Sequence, residues 1–244
     1  MNLNRYFVDG HKSVAGWVAP GALNVLHEIG NHQASIGVTG DMVEIGVHHA
    51  RYLIAMACML RPDERAAGFD VFEEQRRNVD GSGKGDKAIA QDNLSKHLTP
   101  DQRVDLITAD SLELSAMAIR EKGLRNARIF SVDGGHTDYH TVNDIRIAQD
   151  TIGTDGVIVV DDFYNADWPG VAEGCHRFFI LEAARKVLPV AYGDNKLYLV
   201  RASEREKYMQ FFGELAKRSL HHKRVSLWGH TVFHLRMPEL ASAA

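Results

Sequence analysis

Short apolar runs, most of them closed by an acid, recur along this chain and predict the strands of a parallel sheet. They are Met42–Val47 (MVEIGV), Ala66–Phe72 (AAGFDVF), Arg103–Ala109 (RVDLITA), Ala127–Val132 (ARIFSV) and Gly156–Val160 (GVIVV). Between them lie stretches with helix-like apolar spacing. These are His49–Leu60, Lys87–His97, a segment capped by Ser111 and running to about Lys122, and Tyr139–Gln149 with Val142, Ile145 and Ile147 as its apolar positions. A strand, a helix and a strand at this spacing form a βαβ unit with parallel, adjacent strands. The carboxyl ends of such strands open on one edge of the sheet, where α/β proteins bind ligands.

Further along, Gly170–Lys186 reads as a helix. Leu188–Ala191 and Lys196–Ala202 read as two strands joined across Gly193-Asp194-Asn195, a hairpin signal. Ser203–Arg218 reads as another helix, with His221-His222 at its solvated end, and Arg224–Leu235 alternates like one more strand. Ahead of the sheet, Pro20 to about Asn31 sets Leu23, Val25, Leu26 and Ile29 on one face, with Gly30 as its stop. The expectation is an α/β fold: a doubly wound, Rossmann-like, seven-stranded sheet with an antiparallel edge hairpin and a helical N-terminal cap. Its boundaries fall at 1–40 for the cap, 41–218 for the sheet domain and 219–244 for a C-terminal extension. Glu73–Asp86 (EEQRRNVDGSGKGD) is polar and glycine-rich, and reads as a mobile loop.

Composition narrows the class. With 244 residues, 45% of them hydrophobic, the chain should bury roughly 70–75% of its unfolded surface without staples. A net charge of −4 with interspersed signs leaves no polybasic footprint for nucleic acid or anionic lipid. No apolar run reaches the ~20 residues of a membrane span, and the opening MNLNRYFVDGHKS lacks a signal-peptide core. Cys58 and Cys175 fall in apolar helical segments as reduced core residues. A cytoplasmic protein is expected, and the edge-strand character of Val225–Met237 suggests a homo-oligomer.

The chemistry gathers at strand ends. After the first strand comes Glu44-Ile-Gly46-Val-His48-His49, one glycine and two bulky histidines where dinucleotide folds carry G-x-G-x-x-G. A pyrophosphate fits this badly. A nucleoside ligand without phosphate, such as S-adenosylmethionine, needs less clearance, and Glu44 suits its ammonium. Asp70 ends the second strand, where an acid meets ribose hydroxyls, and Asp110-Ser111 ends the third, able to face an adenine edge. Acids at strand ends also cap helices, so the serial order carries this reading rather than any single residue. Asp133 follows the fourth strand and Asp161-Asp162 the fifth. Three converging carboxylates repel one another unless a cation sits among them, and oxygen ligands favour Mg²⁺, Ca²⁺ or Mn²⁺ over zinc. His136, three residues past Asp133 in a Gly-Gly loop, is free to present an imidazole suited to general-base work. Trp17, Tyr139 and Trp168 are candidate walls for an acceptor.

Gly16-Trp17, VEIGVHH from Val43 to His49, GFD from Gly68 to Asp70, VDGGH from Val132 to His136 and GVIVVDD from Gly156 to Asp162 together resemble class I S-adenosylmethionine-dependent methyltransferases. Within them the pattern is similar to the metal-dependent O-methyltransferases related to macrocin and other antibiotic-sugar methyltransferases, and the likeness spans about Val14 to Phe179. The resemblance implies Mg²⁺ (or Mn²⁺) held by Asp133, Asp161 and Asp162, with His136 as base beside Asp133. It implies S-adenosylmethionine held by Glu44, Gly46 and His48 at the methionine portion, Asp70 at the ribose, and Asp110 with Ser111 at the adenine. The acceptor it implies is a hydroxyl of a small molecule of secondary metabolism, a sugar or a catechol-like diol. A cation shared by two substrate oxygens predicts a vicinal diol or catechol. Ala50-Arg51 replaces the glycine and serine of many relatives, which leaves the contacts to the methionine carboxylate open. Two other readings compete: a hydroxylase of the same fold with iron in the acidic site, and a noncatalytic nucleoside-binding protein whose acids are helix caps.

Overall fold

The computed structural model describes residues 5–183 and 185–241. The first four and last three positions of the expected cap and extension, and Ala184 within the expected Gly170–Lys186 helix, lie outside them. In chain order the elements are α1 (Arg5–Val8), α2 (Pro20–Ser35), β1 (Met42–Ile45), α3 (Arg51–Ala57), β2 (Ala66–Asp70), α4 (Lys87–His97), β3 (Val104–Thr108), α5 (Ala116–Glu121) and β4 (Ala127–Val132). They continue with α6 (Asp138–Thr151), β5 (Ile152–Val160), α7 (Pro169–Leu181), β6 (Val187–Gly193), β7 (Lys196–Arg201), α8 (Arg205–Ala216), β8 (His221–Leu227) and β9 (His230–Arg236).

One sheet runs in the order β3-β2-β1-β4-β5-β7-β6-β9-β8. The first five strands are mutually parallel, and β7 is antiparallel to both neighbours. Alternation along the strands sends Met42, Ile129, Val157 and Val159 to one face, under α2, α3, α4 and α8. Val43, Ile45, Phe130, Ile158 and Val160 face the other side, under α5, α6 and α7. With helices on both faces the central strands read as continuous apolar runs, which is why they stood out in the sequence.

Among the described residues the sheet has nine strands, where seven were expected. The tail read as a single strand, Arg224–Leu235, is a hairpin: β8 and β9 pair antiparallel across Trp228-Gly229, with φ of +50° and +79°, and β9 continues the sheet from β6. Trp228 hid the turn, because a tryptophan is no customary turn residue. Its indole stacks on Phe179 of α7 at 4.3 Å, so packing offsets the strained backbone. His221 and His222 open β8 rather than ending a helix. Gly30 does not stop α2, which runs to Ser35. A Cβ at Gly30 would lie 2.4 Å from the Met59 sulfur, so this glycine serves close packing. Ser111 begins a 3-10 turn, and α5 starts only at Ala116, capped by Ser115 Oγ accepting from the Ala118 amide at 3.1 Å. Among the described residues no helix is long and apolar enough to cross a membrane. Both cysteines are free thiols, Cys175 buried and Cys58 half-buried.

Candidate active site

The registers of the parallel strands place the acids. Val132 pairs with Val160, so Asp133 and Asp161 leave the sheet side by side. At the end of β1, Gly46 has φ +83°, and a Cβ there would lie 1.7 Å from the Asp133 carbonyl oxygen. Only glycine lets β1 and β4 approach this closely. Above these ends opens a cavity of about 720 Å³. Gly46, His48, Asp70, Asp110, Ser111, Asp133, His136, Asp161 and Asp162 all line it.

Glu44 does not line the cavity. It points into the sheet face beneath α3, 1% exposed, with neither carboxylate oxygen hydrogen-bonded. Burial pushes it up to about 8, with the Lys196 charge pulling the other way, which disfavours its charged form and makes it a poor partner for a ligand's ammonium. The strand alternation that puts Ile45 on one face turns Glu44 to the other. Asp70 lines the cavity, and its carboxylate is already engaged by backbone: Oδ2 accepts from the Val47 and His48 amides at 2.7 and 2.8 Å, and Oδ1 from Phe72 at 2.7 Å. It thereby shapes the loop after β1. His48 stands at φ +51°, stacked on His49 at 3.9 Å and facing Trp17 at 5.5 Å. Arg51 donates to the Gly16 carbonyl, which ties the Trp17 segment over the cavity. Asp110 caps its own turn, accepting from Leu112 at 3.0 Å, and the Ser111 carbonyl accepts from Asn143 at 2.8 Å.

At the acidic end the structure regroups the predicted ligands. Asp133, His136 and Asp162 each offer one donor atom, all within 4.8 Å of one another. Asp161 turns instead to Lys196, whose Nζ lies 2.7 Å from its Oδ2, 1% exposed, and 4.2 Å from the Tyr52 ring centroid. Of the expected ligand set of Asp133, Asp161 and Asp162, Asp161 is thus engaged by a buried ammonium, while Asp133 and Asp162 lie together with His136 alongside. Burial, together with the Asp161 charge, holds the Asp133 carboxyl well above the ordinary carboxylate range, against the pull of Lys196. Asp162 behaves oppositely. Burial raises it, but His136 Nε2 at 2.9 Å and the amides of Asn165 and Asn195 at 2.7 and 2.6 Å outweigh that and keep it ionised. The imidazole of His136 stacks on Trp168 with centroids 4.3 Å apart. Its burial lowers its pKa, but hydrogen bonds to Asp162 and Asp80 prevail and raise it.

Several of these residues escaped sequence reading. Lys196 carried a faint signal, a lysine opening the otherwise apolar strand KLYLVR. Asn195 was recognised only as a turn residue, and Asn165 not at all. Asp80 lay in the loop read as mobile. Residues 73–86 are folded over the cavity: Arg77, Asn78, Val79, Ser82, Gly83 and Gly85 line it, and Asn78 Nδ2 donates to Gln75 Oε1 and to the Ser82 and Gly83 carbonyls. Trp17 and Trp168 wall the cavity as expected, whereas Tyr139 is exposed outside it.

Residues 43–163, about half of the chain, match the family model of a methyltransferase domain. No curated protein matches the sequence. Among solved structures, the O-methyltransferase NovP superposes with a TM-score of 0.60 at 16% identity, covering 73% of this chain and 78% of that one. CalS11, a TDP-rhamnose 3'-O-methyltransferase of calicheamicin biosynthesis, gives 0.53 at 21% identity, over 73% and 79% of the two chains. An O-methyltransferase from Bacillus cereus in complex with S-adenosylhomocysteine gives 0.50 at 18% identity, over 74% and 77%. These likenesses extend to the fold. The chain carries a methyltransferase domain over residues 43–163, and its fold is that of the S-adenosylmethionine-dependent O-methyltransferases.

Proposed function

We propose that the chain is a divalent-cation-dependent O-methyltransferase that moves the methyl group of S-adenosylmethionine to a hydroxyl of a small molecule, with His136 as general base. The observation that carries this is the cluster of Asp133, His136 and Asp162 within the same cavity as Gly46, Asp70, Asp110 and Ser111. The two carboxylates fit a Mg²⁺- or Mn²⁺-sized cation, with the His136 imidazole beside it in the role of base. Such a cation lowers the pKa of a hydroxyl bound beside it. The chain's own groups do the rest. Asn165 and Asn195 fix Asp162, Trp168 covers one face of the His136 ring, and His136 Nε2 faces the cluster where a hydroxyl proton would leave. Holding acceptor oxygen and methyl carbon in line supplies much of the acceleration.

Lining charge narrows the acceptor. Six aspartates line the cavity, and among its described lining residues Arg77 is the sole lysine or arginine. That guanidinium is already paired with Glu74 at 2.9 Å and Glu113 at 2.7 Å. An uncharged or cationic vicinal diol or catechol suits this wall better than a nucleoside-diphosphate sugar of the kind CalS11 methylates.

Calorimetric titration with S-adenosylhomocysteine, with Mg²⁺ and then with EDTA, followed by methyl-transfer assays on diol and catechol panels, tests the reading. Stoichiometric binding and EDTA-sensitive transfer are expected, as is a fall of 100-fold or more in kcat, on the order of the general-base term, in His136→Ala and Asp162→Asn. Undiminished transfer in both variants would refute it. One imidazole with two carboxylates also suits Fe(II), so iron found by elemental analysis in place of Mg²⁺ or Mn²⁺ would favour the hydroxylase reading.

A further inference from the structure

We propose that Asp80, carried on the segment 73–86 that folds over the cavity, is a positioning residue for His136, so that closing this strap and orienting the base are one event. The proposal rests on the reading of His136 as base. A single oxygen of Asp80, Oδ2, lies 2.6 Å from the His136 backbone nitrogen, whose N–H it accepts, and 2.9 Å from the ring Nδ1. The other oxygen, Oδ1, accepts from the Ser82 amide at 2.9 Å and the Ser82 hydroxyl at 2.5 Å. The carboxylate is thus fixed from its own strap on one side and grips both the backbone and the ring of His136 on the other. Burial raises Asp80, but its hydrogen bonds from Ser82 and His136 bring it down to about 2, which keeps it an anion.

With Nδ1 donating to Asp80, the other ring nitrogen, Nε2, faces Asp162 at 2.9 Å and the cluster, and it can take a proton from an acceptor once it is no longer donating to Asp162. A carboxylate behind an imidazole sets its tautomer and orientation and stabilises the imidazolium formed when the ring takes a proton. Fifty-six residues separate Asp80 and His136, so the pair exists only while the strap is down. Trp168 covers one face of the ring, and Asp80 at Nδ1 with Asp162 at Nε2 fixes its rotation. The strap also lines the cavity through Val79 and Ser82, so a seated acceptor and an aligned base would require the same closed state.

Asp80→Asn retains an oxygen for the backbone N–H but removes the charge. It should lower kcat by about 10- to 100-fold while KM for S-adenosylmethionine and the affinity for S-adenosylhomocysteine stay within about threefold, and Asp80→Glu should recover part of the loss. A kcat within twofold of wild type, or a change confined to KM, would overturn the positioning role. A readout independent of turnover is tryptic cleavage of the strap at Arg76, Arg77 and Lys84 in folded protein. Cleavage should accelerate several-fold in Asp80→Ala, which removes both contacts, and to a smaller degree in His136→Ala, which removes the ring contact and keeps the backbone N–H to Asp80. Equal cleavage in wild type and both variants would refute the coupling even if no acceptor is found. If wild type transfers methyl and His136→Ala does so undiminished, while strap cleavage still responds to both variants, the base reading has failed and the tie is structural only.

Discussion

At the scale of single residues, two charged groups decide what the acidic edge can do. Lys196 is buried against Asp161 and the Tyr52 ring, and it engages one of the three carboxylates expected to hold a cation. Lys196→Met should cost roughly 3–5 kcal/mol, since it leaves the Asp161 carboxylate buried without its cation. Urea unfolding measures this, and a loss under about 1 kcal/mol would show that the pair is hydrated and weak. Asp133 is the converse case. Its carboxyl sits well above the usual range because of burial and the neighbouring Asp161 charge, so a divalent cation seated beside it would compete with a proton. Mg²⁺ affinity should therefore rise with pH, and calorimetry in two buffers of different ionisation enthalpy should record proton release on binding. Buffer-independent heats would place the cation elsewhere.

At the scale of elements, most side chains of the site sit on short connections anchored by the ends of regular elements. Asp133 and His136 lie between β4 and α6, whose first turn is capped by Thr137 Oγ accepting from the His140 amide at 3.3 Å. The same hydroxyl lies 2.7 Å from His140 Nδ1. Thr137→Ala should lower stability by about 1 kcal/mol, the usual worth of an N-cap. Because the cap stands next to His136, it should also loosen the base, read as a drop in kcat at saturating substrate with full binding of S-adenosylhomocysteine. The β6–β7 turn contributes Asn195, which stands at φ +69° and reaches Asp162. The sequence marked that turn clearly and left its reach into the site invisible, because a turn motif specifies backbone geometry and says nothing of what lies above it. The strap shows the same limit. Its glycines and charges fit mobility as well as closure, and the difference lies in Asp80 finding His136.

At the scale of the whole molecule, the sheet divides the labour between its two edges. At the amino end of β4, away from the cavity, Arg128 is 1% exposed and meets Glu64, the Met59 carbonyl and Gln33 in one satisfied network. Burial raises Glu64, but the Arg128 guanidinium outweighs it and leaves the carboxyl below its ordinary value. A carboxylate depressed in the folded state contributes stability that is present above its unfolded pKa and lost as pH falls through the folded value. Unfolding free energy should thus decline below about pH 4.5, and Glu64→Gln should flatten that decline; an unchanged slope would mean other carboxylates dominate.

What the sequence determined by itself is the order of strands and helices, the parallel core, and which acids arrive at the carboxyl edge, because burial periodicity and strand-end position are local properties of the chain. The tertiary structure alone decided which of those acids stay free. Asp161 goes to Lys196, Glu44 turns under the sheet, Asp80 comes to His136 and the tail joins as two further strands. Each of these depends on groups distant in sequence meeting where water is excluded, and there the nearest countercharge or ring settles the partner.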